Sequence, residues 1–331
     1  MSMRILRHYS YGGPTVLQLD EEEIPTPGPG EVRLRVKATP VVFYDICNRR
    51  GDFATKKHYE DESVLPISPG YQGAGIVEEV GPEVDNVRVG DRVAWAAGSG
   101  ACATHVIQPV EQLIPIPDDI DLHQVAGGLY QAYVAYSLTH EAYPLQPDEW
   151  CVVQSAAGGV GQLICQLARV RGARVIGVTS TEEKAKVAEE SGASEVIVSS
   201  TSDVAAEVRR ITGGAGARVV YDGVGKDAFE TNMDSLGLRG YLVIYGQSSG
   251  FVPPFDLMAL QEKGGLYLTR WSPLCYLTRW PDENHVANLY RWLRSGELTV
   301  RIDRSYPLTE ASEAHRVVEQ RESAGRVLLL P

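Results

Sequence analysis

The sequence has little cysteine, no long apolar run and no excess of positive charge. Its 331 residues include five scattered cysteines and no C-x-x-C pair, which indicates reduced thiols rather than a disulfide framework. No window resembles a membrane span, and the first residues lack the apolar stretch of a signal peptide. The net charge of −12 argues against a nucleic-acid surface, which needs clustered Lys and Arg. We therefore expect a cytoplasmic protein that binds neither nucleic acid nor membrane.

The pattern of apolar residues changes near residue 125, and the length suggests two domains at about 150 residues per domain. Before this point, short alternating runs between turn signals indicate antiparallel β structure. From about 125 to 265, strands and helices alternate, which predicts a parallel sheet with right-handed crossovers. The strands predicted there are 150–154, 174–179, 195–198, 219–222 and 241–245. After residue 285, two helices and a last strand at 327–330 are expected to rejoin the first domain.

The most informative segment is the glycine-rich turn in residues 154–166, which read Q-S-A-A-G-G-V-G-Q-L-I-C-Q. It follows a short apolar strand and precedes a run with apolar residues at helical spacing. This order forms the phosphate site of a dinucleotide-binding fold, because backbone N–H groups and the helix N-terminus favour a pyrophosphate. Ala156, Gly158 and Gly161 occupy the three usual glycine positions. The alternative is a tight strand–helix turn that binds no ligand.

Several further blocks follow one another along the chain. They are Y-G-G-P at 11–14, G-Y-Q-G-A-G-I-V-E-E-V-G at 70–81, G-D-R-V at 90–93, V-Y-D-G-V-G at 220–225 and Y-G-Q-S-S-G at 245–250. With the glycine turn, they resemble the zinc-independent quinone oxidoreductases of the medium-chain dehydrogenase/reductase superfamily, which include ζ-crystallin.

The resemblance covers nearly the whole chain and implies an α/β fold, with a GroES-like β domain plus a Rossmann doubly wound parallel-sheet domain. It implies that residues 1–124 form the first part of the catalytic domain and 125–265 the nucleotide-binding domain. Residues 266–331 then supply an edge strand of the Rossmann sheet and return to the catalytic domain. A homodimer formed through the Rossmann domain is also implied.

NADPH is the cofactor that the resemblance favours. The second Rossmann strand ends in Thr179-Ser180-Thr181, which has no acidic residue to prefer NAD. The lysine that contacts the 2′-phosphate in family members matches Lys184, and a tyrosine that helps in some relatives is replaced by Ser199. Alternatively, Lys184 lies on a solvated helix face beside glutamates, which leave room for NAD. The expected cofactor residues are Ala156, Gly158, Gly159, Val160, Gly161, Thr179, Ser180, Lys184, Ser199, Val224, Tyr245, Gly246, Ser248 and Arg321.

No metal site is expected. Zinc-dependent relatives carry Gly-His-Glu where this chain has Gly70-Tyr71-Gln72, and catalytic zinc needs about three protein ligands such as His, Cys or Glu. The closely spaced four-cysteine loop of a structural zinc site is missing as well. The chemistry must then come from the cofactor, with the protein supplying position and electrostatics.

The acceptor site is expected at residues 41–53, after the second strand of the first domain. Asp45 matches a family aspartate, where it either orients a pocket residue or caps a helix. Val42, Phe53 and Val134 replace a family asparagine, tyrosine and threonine, so the resemblance implies a more apolar acceptor pocket. Tyr44, Tyr130 and Tyr133 are candidate hydroxyl donors, or else simply pack with their polar tips bonded.

The mechanism implied is hydride transfer to a quinone or an enone. Such acceptors suit a site without metal because their own carbonyls spread the negative charge, so the protein needs only to position them and to place a donor near the developing oxyanion. Tyr44, Asp45 and Tyr130 are the catalytic candidates. The alternative is a low-turnover NADPH-binding protein with a structural or sensing role.

Overall fold

The computed structural model describes residues 2–52, 65–96, 98, 100–272, 275 and 283–331, and these form two compact units. Unit 1 comprises the described residues of Met1–Tyr130, Trp280–Arg291 and Val300–Pro331, and unit 2 comprises those of Gln131–Arg279 and Trp292–Thr299. The first division falls inside a continuous helix, later than the boundary at 124/125 expected from the sequence, because composition does not mark a point within one helix. No helix in these described ranges is long and apolar enough to cross a membrane.

Unit 1 is mainly antiparallel β structure. β1 pairs with β2, and a larger sheet has the order β14-β15-β3-β4-β5-β7, with β6 paired to β3. The C-terminal strand β15 joins this sheet by pairing antiparallel with β3. The strands are β1 (Ser2–His8), β2 (Leu17–Glu23), β3 (Glu31–Pro40), β4 (Gly73–Val80), β5 (Arg92–Trp95), β6 (His105–Pro109), β7 (Ile114–Pro115), β14 (Ile302–Pro307) and β15 (Arg326–Leu330).

The helices of unit 1 follow from local sequence signals. α1 (Phe43–Arg50) ends at Gly51, whose φ of 77° suits the left-handed position after a helix. α9 (Ala311–Glu319) presents Ala314 and Val317 to a core shared with α1 and β15. α2 (Leu122–Ser137) begins in unit 1 and ends in unit 2.

Unit 2 is a doubly wound parallel sheet of six strands, which confirms the predicted α/β class. The order β10-β9-β8-β11-β12-β13 is 3-2-1-4-5-6 in chain order, so the order reverses between β8 and β11. The strands are β8 (Trp150–Gln154), β9 (Arg174–Thr179), β10 (Glu195–Val198), β11 (Ala217–Asp222), β12 (Leu236–Ile244) and β13 (Tyr267–Arg270). The helices are α3 (Gly161–Val170), α4 (Glu182–Glu190), α5 (Val204–Ile211), α6 (Phe229–Ser235), α7 (Met258–Glu262) and α8 (Glu283–Ser295), the last crossing from unit 1.

The starts of three elements in unit 2 illustrate what local sequence signals do and do not fix. Thr181 and Asp203 cap α4 and α5 by accepting hydrogen bonds from backbone N–H groups, so local sequence fixes where these helices begin. β12 begins earlier than predicted, because Leu236 pairs with Ala217 before a register shift in the ladder.

A cluster of buried basic side chains lies in unit 1 between α1, α9 and the end of β1. His8, Arg49 and His315 are completely buried. Arg49 donates to the carbonyl oxygen of Gly12 at 3.2 Å and forms an ion pair with Glu319. Within the described ranges, both ring nitrogens of His315 and Nε2 of His8 have no hydrogen-bond partner. Burial, followed by the proximity of Arg49 and His8, lowers the pKa of His315 to about 3.

The depressed pKa of His315 predicts loss of stability in acid. Because the ring binds a proton more readily in the unfolded chain, its contribution is fully present above about pH 6.5. The contribution declines as the pH falls toward 3, by at most about 1.4 kcal/mol per pH unit. His315→Leu should flatten the dependence of the urea unfolding midpoint on pH between about 6.5 and 4.5. His123→Leu, at a half-exposed histidine, is the control and should leave the wild-type slope. Parallel slopes for wild type and His315→Leu would contradict this assignment.

Candidate functional site

The glycine turn lies between β8 and α3, beside the point where the strand order reverses. Ser155 has φ of 53°, and its carbonyl oxygen accepts the N–H of Gly158 at 2.8 Å. The N–H of Ala156 donates to the carbonyl oxygen of Val178, which ties the turn to the end of β9. Among the described residues, no side chain caps the start of α3. Ligands of doubly wound sheets bind outside the carboxyl ends of the strands at such a reversal.

Gly158 and Gly161, two of the glycines of this turn, are constrained to different degrees. A Cβ at Gly161 would lie 2.2 Å from the carbonyl oxygen of Ser155 and 2.9 Å from Cα of Ala156, so the helix and turn meet too closely for any side chain. A Cβ at Gly158 would approach only Ser155, at 3.1 Å from its carbonyl oxygen. A side chain at Gly158 would need Ser155 to shift by a few tenths of an ångström, and it would fill the space beside the turn. This cradle fits the close approach of a pyrophosphate to backbone.

The structure brings together the residues expected at the 2′-position of the ribose. The N–H and the hydroxyl of Ser199 both donate to the carbonyl oxygen of Thr179, at 2.8 and 3.0 Å. Thr181 caps α4 by accepting the N–H of Lys184 at 3.3 Å. Ser180 lies between them and is exposed. Thr179, Ser180, Lys184 and Ser199 thus surround the carboxyl end of β9.

The carboxylate of Glu183 lies in the first turn of α4, next to Lys184. Hydrogen bonds from the backbone N–H of Glu183 and from the hydroxyl of Thr181 lower the pKa of Glu183. This negative charge opposes a second phosphate, whereas the charge of Lys184 favours one.

Asp222, which was not among the predicted site residues, organises the ends of β11 and β12. Its carboxylate accepts the N–H of Val224 at 2.7 Å, and its backbone carbonyl accepts those of Tyr245 and Gly246 at 2.8 and 3.2 Å. Burial raises the pKa of Asp222 to about 6, although the hydrogen bonds that its carboxylate accepts from the N–H groups of Val224 and Gly225 oppose the shift. Asp222 thereby holds three of the predicted cofactor residues at one edge of the sheet.

The remaining predicted cofactor residues lie in different units. Ser248 donates its N–H to the carbonyl oxygen of Gly223 at 3.1 Å, which places it beside Val224 in unit 2. Arg321 follows α9 in unit 1, is exposed and has φ of 58°. The sequence signal for Arg321 was the family resemblance alone.

Asp45 lies in the first turn of α1, two residues after the helix begins, and its side chain caps the helix by accepting the N–H of Val42. Its carboxylate is buried and accepts the N–H of Gly70 at 3.1 Å and that of Val42 at 3.4 Å. Burial raises the pKa of Asp45 to about 6, while those hydrogen bonds and the charge of Arg326 oppose the shift. Both oxygens are therefore engaged by backbone, which favours an orienting role over direct proton transfer.

Tyr44 and Tyr130, the other catalytic candidates, are linked by a residue that was considered only as a missing zinc ligand. The rings of Tyr44 and Tyr71 meet edge to face with centroids 6.3 Å apart, and those of Tyr71 and Tyr130 with centroids 5.4 Å apart. Tyr44 is 48% exposed. Three positions so far apart in the sequence offered no periodic signal for this contact.

The predicted substrate residues that the structure describes lie in different units. Val42 precedes α1 in unit 1, whereas Val134 lies in the part of α2 that belongs to unit 2 and is buried, as is Tyr133. Phe53 lies outside the described residues. Within those that are described, no group of three or more His, Cys, Asp or Glu side chains is placed to hold a metal ion.

The two glycines give a paired prediction. Gly158→Val should abolish detectable NADPH binding in isothermal titration while leaving the unfolding midpoint near that of wild type, because the new side chain occupies the cradle. Gly161→Ala should lower the unfolding midpoint by itself, because its Cβ meets backbone at 2.2 Å. Normal NADPH affinity in Gly158→Val would show that the turn has a purely structural role.

Comparison with known proteins gives a matching family for each part of the chain and full-length relatives. Residues 28–146 match the alcohol dehydrogenase GroES-like domain, and residues 159–267 match the zinc-binding dehydrogenase family. A quinone oxidoreductase of Pseudomonas aeruginosa is 37% identical over 324 residues, 97% of this chain and 98% of the relative. A 2-haloacrylate reductase of a Burkholderia species is 37% identical over 97% of this chain and 96% of the relative.

A solved structure extends the likeness to three dimensions. Escherichia coli quinone oxidoreductase complexed with NADPH superposes with a TM-score of 0.91 at 34% identity, covering 99% of this chain and 100% of that one. The predicted combination of a GroES-like and a Rossmann domain is therefore confirmed. The chain belongs to the quinone oxidoreductases of the medium-chain dehydrogenase/reductase superfamily.

Proposed function

We propose that this protein is an NADPH-dependent quinone oxidoreductase that works without a metal ion. The observation that carries the proposal is the cradle at Gly158, uncapped and beside the reversal of strand order in unit 2. Relatives named quinone oxidoreductase, and a similar structure complexed with NADPH, support the same cofactor and acceptor.

Each group of predicted cofactor residues has a task in this proposal. The turn from Ala156 to Gly161, including Gly159 and Val160, would hold the pyrophosphate with backbone N–H groups. Lys184, with the hydroxyls near Thr179, would bind the 2′-phosphate by a charge-assisted contact. The segments after β11 and β12 would bound the nicotinamide half. When bound, the reduced nicotinamide supplies a hydride, and a solvent proton completes the conversion of quinone to hydroquinone.

The acceptor is proposed to bind against residues of unit 1. The hydroxyls of Tyr44, Tyr71 and Tyr130 are suited to donate to an acceptor oxygen as it gains charge. Burial, followed by the proximity of Tyr44, raises the pKa of Tyr71, so its phenol stays protonated at neutral pH. Because donors of this kind suffice for a quinone or an enone, no Lewis acid is required. Val42, which stands where family members carry an asparagine, is proposed to make this part of the acceptor site apolar.

A second candidate function is the reduction of an activated carbon–carbon double bond. The 37% identity to a 2-haloacrylate reductase favours it, because that relative is named for an unsaturated acceptor. The two reactions share the cofactor and the need for a donor near a developing oxyanion. The two reactions differ in their products, because a reduced quinone is an aromatic hydroquinone whereas a reduced carbon–carbon double bond is saturated.

Steady-state kinetics test the proposal. With a quinone as acceptor, the wild-type enzyme should have a lower KM for NADPH than for NADH. A metal chelator should leave the rate of NADPH oxidation unchanged. Lys184→Ala should weaken NADPH affinity by about 1.5–3 kcal/mol, the value of a hydrogen bond to a charged group, and should barely alter NADH. Lys186→Ala removes the same charge from an exposed site on α4 and is the control. Equal affinities of the wild type for both nicotinamides would exclude the assigned role of Lys184.

Assays of NADPH oxidation with a set of quinones and a set of enones separate the proposed function from its alternatives. Turnover with enones but not with quinones would assign the second candidate. NADPH binding without turnover on either class would instead indicate a structural or sensing protein.

We further propose a cytoplasmic location. All five cysteines are unpaired, and four of them are buried. Burial raises the pKa of Cys47 and Cys165 to about 12, so these thiols resist oxidation and pack as small apolar groups.

A homodimer through β13 completes the proposal. β13 is at the end of the six-stranded sheet, and Tyr267 on it is 49% exposed while its ring stacks on Tyr241 at 4.4 Å. An apolar strand edge invites pairing, and the same edge of a second copy related by a two-fold axis satisfies it.

Light scattering at micromolar concentration should therefore give about twice the chain mass of 36.2 kDa. Tyr267→Lys should shift the protein toward monomer, because charge on an edge strand opposes pairing. Tyr9→Lys, at a tyrosine of unit 1 that is 50% exposed, should not. A monomeric wild type would rule out this interface.

A further inference from the structure

The loops that follow β11 and β12 are bonded to each other at the edge of the sheet in unit 2. The backbone N–H and the hydroxyl of Ser249 both donate to the carbonyl oxygen of Val224, each at 2.8 Å. Tyr245 and Gly246 donate their N–H groups to the carbonyl oxygen of Asp222. The loop after β11 is therefore bonded at two points to the loop after β12.

The carboxylate of Asp222 holds the first of these loops from inside. It is completely buried and accepts the N–H of Val224 at 2.7 Å and that of Gly225 at 3.2 Å. Gly225 has φ of 85°, and a Cβ there would lie 2.7 Å from the carbonyl oxygen of Gly250, so this turn requires glycine. Because two successive N–H groups point inward to one carboxylate, the shape of the turn depends on that carboxylate.

Two buried amide side chains connect this carboxylate to β8. The side-chain N–H of Gln154, the last residue of β8, donates to Oδ1 of Asn232 on α6 at 2.7 Å. Gln154 is 5% exposed and Asn232 is completely buried. Burial raises the pKa of Asp222, and Asn232 is among the groups that oppose this shift. Buried polar groups joined in this way specify one arrangement, because leaving any of them unpaired is costly.

The outer part of the two loops combines the backbone of two glycines with one tyrosine ring. A Cβ on Gly246 would lie 2.7 Å from the carbonyl oxygen of Gly223, and one on Gly223 would lie 2.8 Å from the hydroxyl oxygen of Tyr245. These three residues and Val224 are half-buried, whereas Asp222 is completely buried. Glycine lets a ligand approach backbone closely, so this outer part can contact a flat group directly.

The position of the loops in the sheet indicates which half of a dinucleotide they meet. In a doubly wound sheet, the strands on the two sides of the reversal each bind one mononucleotide half. β8, β9 and β10 lie on one side, where Thr179 and Lys184 are expected to meet the adenosine ribose. β11 and β12 lie on the other side. The loops that follow β11 and β12 would therefore meet the nicotinamide half.

We propose that Asp222 is a positioning residue for the nicotinamide half of NADPH. Its carboxylate fixes the turn from Gly223 to Gly225, and its backbone carbonyl fixes Tyr245 and Gly246, so it sets where these two surfaces lie. The proposal rests on the proposed function, whose cofactor it concerns. Asp222 acts through the loops, because its side chain is completely buried.

Titration calorimetry with NADPH and with adenosine 2′,5′-bisphosphate separates the two halves of the cofactor. Asp222→Asn keeps the shape of the side chain but replaces one acceptor oxygen with a donor. It should raise Kd for NADPH about 10-fold, the equivalent of one hydrogen bond to a charged group, and should change Kd for the bisphosphate less than about 2-fold. Asp203→Asn is the control, because Asp203 also accepts a backbone N–H in unit 2, and it should change neither Kd.

Hydrogen exchange of the wild-type protein gives a measurement that needs no variant. The peptide that contains Val224 and Gly225 should exchange more slowly with NADPH bound than with the bisphosphate bound, because only NADPH carries the nicotinamide half. If Asp222→Asn does not fold, this comparison decides alone, and equal protection by the two ligands would overturn the proposal.

The outcomes for Asp222 and for the reductase are distinguishable. Unchanged NADPH affinity in Asp222→Asn, or an equal loss of affinity for both ligands, would overturn the role of Asp222 and leave the reductase assignment intact. A wild type that binds NADPH but reduces no quinone would contradict the proposed function, while the selective loss of NADPH affinity in Asp222→Asn would still support the positioning role.

Discussion

The nucleotide-binding unit depends on the contact between the backbone of Ser155 and the first residue of α3. At Gly161 the chain passes so close to the Ser155 carbonyl oxygen that a Cβ would lie only 2.2 Å away. This contact sets where α3 begins relative to β8. It also leaves the uncapped start of the helix facing the cradle at Gly158. A helix N-terminus placed at the reversal of strand order attracts an anion because its N–H groups point outward and its dipole is positive there. The remainder of the proposed cofactor site follows from strands that end at the same edge.

In unit 1, buried polar side chains hold the segments that carry Tyr44, Tyr71 and Tyr130. Asp45 and Gln72 each carry a polar group into the interior, and each finds a backbone partner on another segment. The cost of burying them is offset only when those partners are present, so the hydrogen bonds tie three segments into one arrangement.

The buried ionisable groups differ in how far hydrogen bonds offset the effect of burial on their pKa values. Asp45 and Asp222 accept several backbone hydrogen bonds, which oppose the effect of burial on their pKa values. His315 has no such compensation in the described part of the chain, and burial dominates its pKa. The carboxylates therefore serve as fixed acceptors that organise loops, whereas the histidine is suited to the interior only as a neutral ring.

The sequence by itself determined the parallel-sheet unit, the strands at 150–154, 174–179 and 195–198, the glycine turn and the group around Thr179, Ser199 and Lys184. The sheet, its strands and the glycine turn are local or follow from the rule that parallel strands end at one edge, so periodicity and turn residues carry them. Lys184 and Ser199 were indicated by the family resemblance. Only the tertiary structure decided that Asp45 bonds Gly70, that Asp222 organises the ends of β11 and β12, and that Tyr71 joins Tyr44 to Tyr130. These contacts join segments that are far apart in the chain or depend on which side chains become buried. Neither distance across a fold nor the environment of a buried group is written in the spacing of residues.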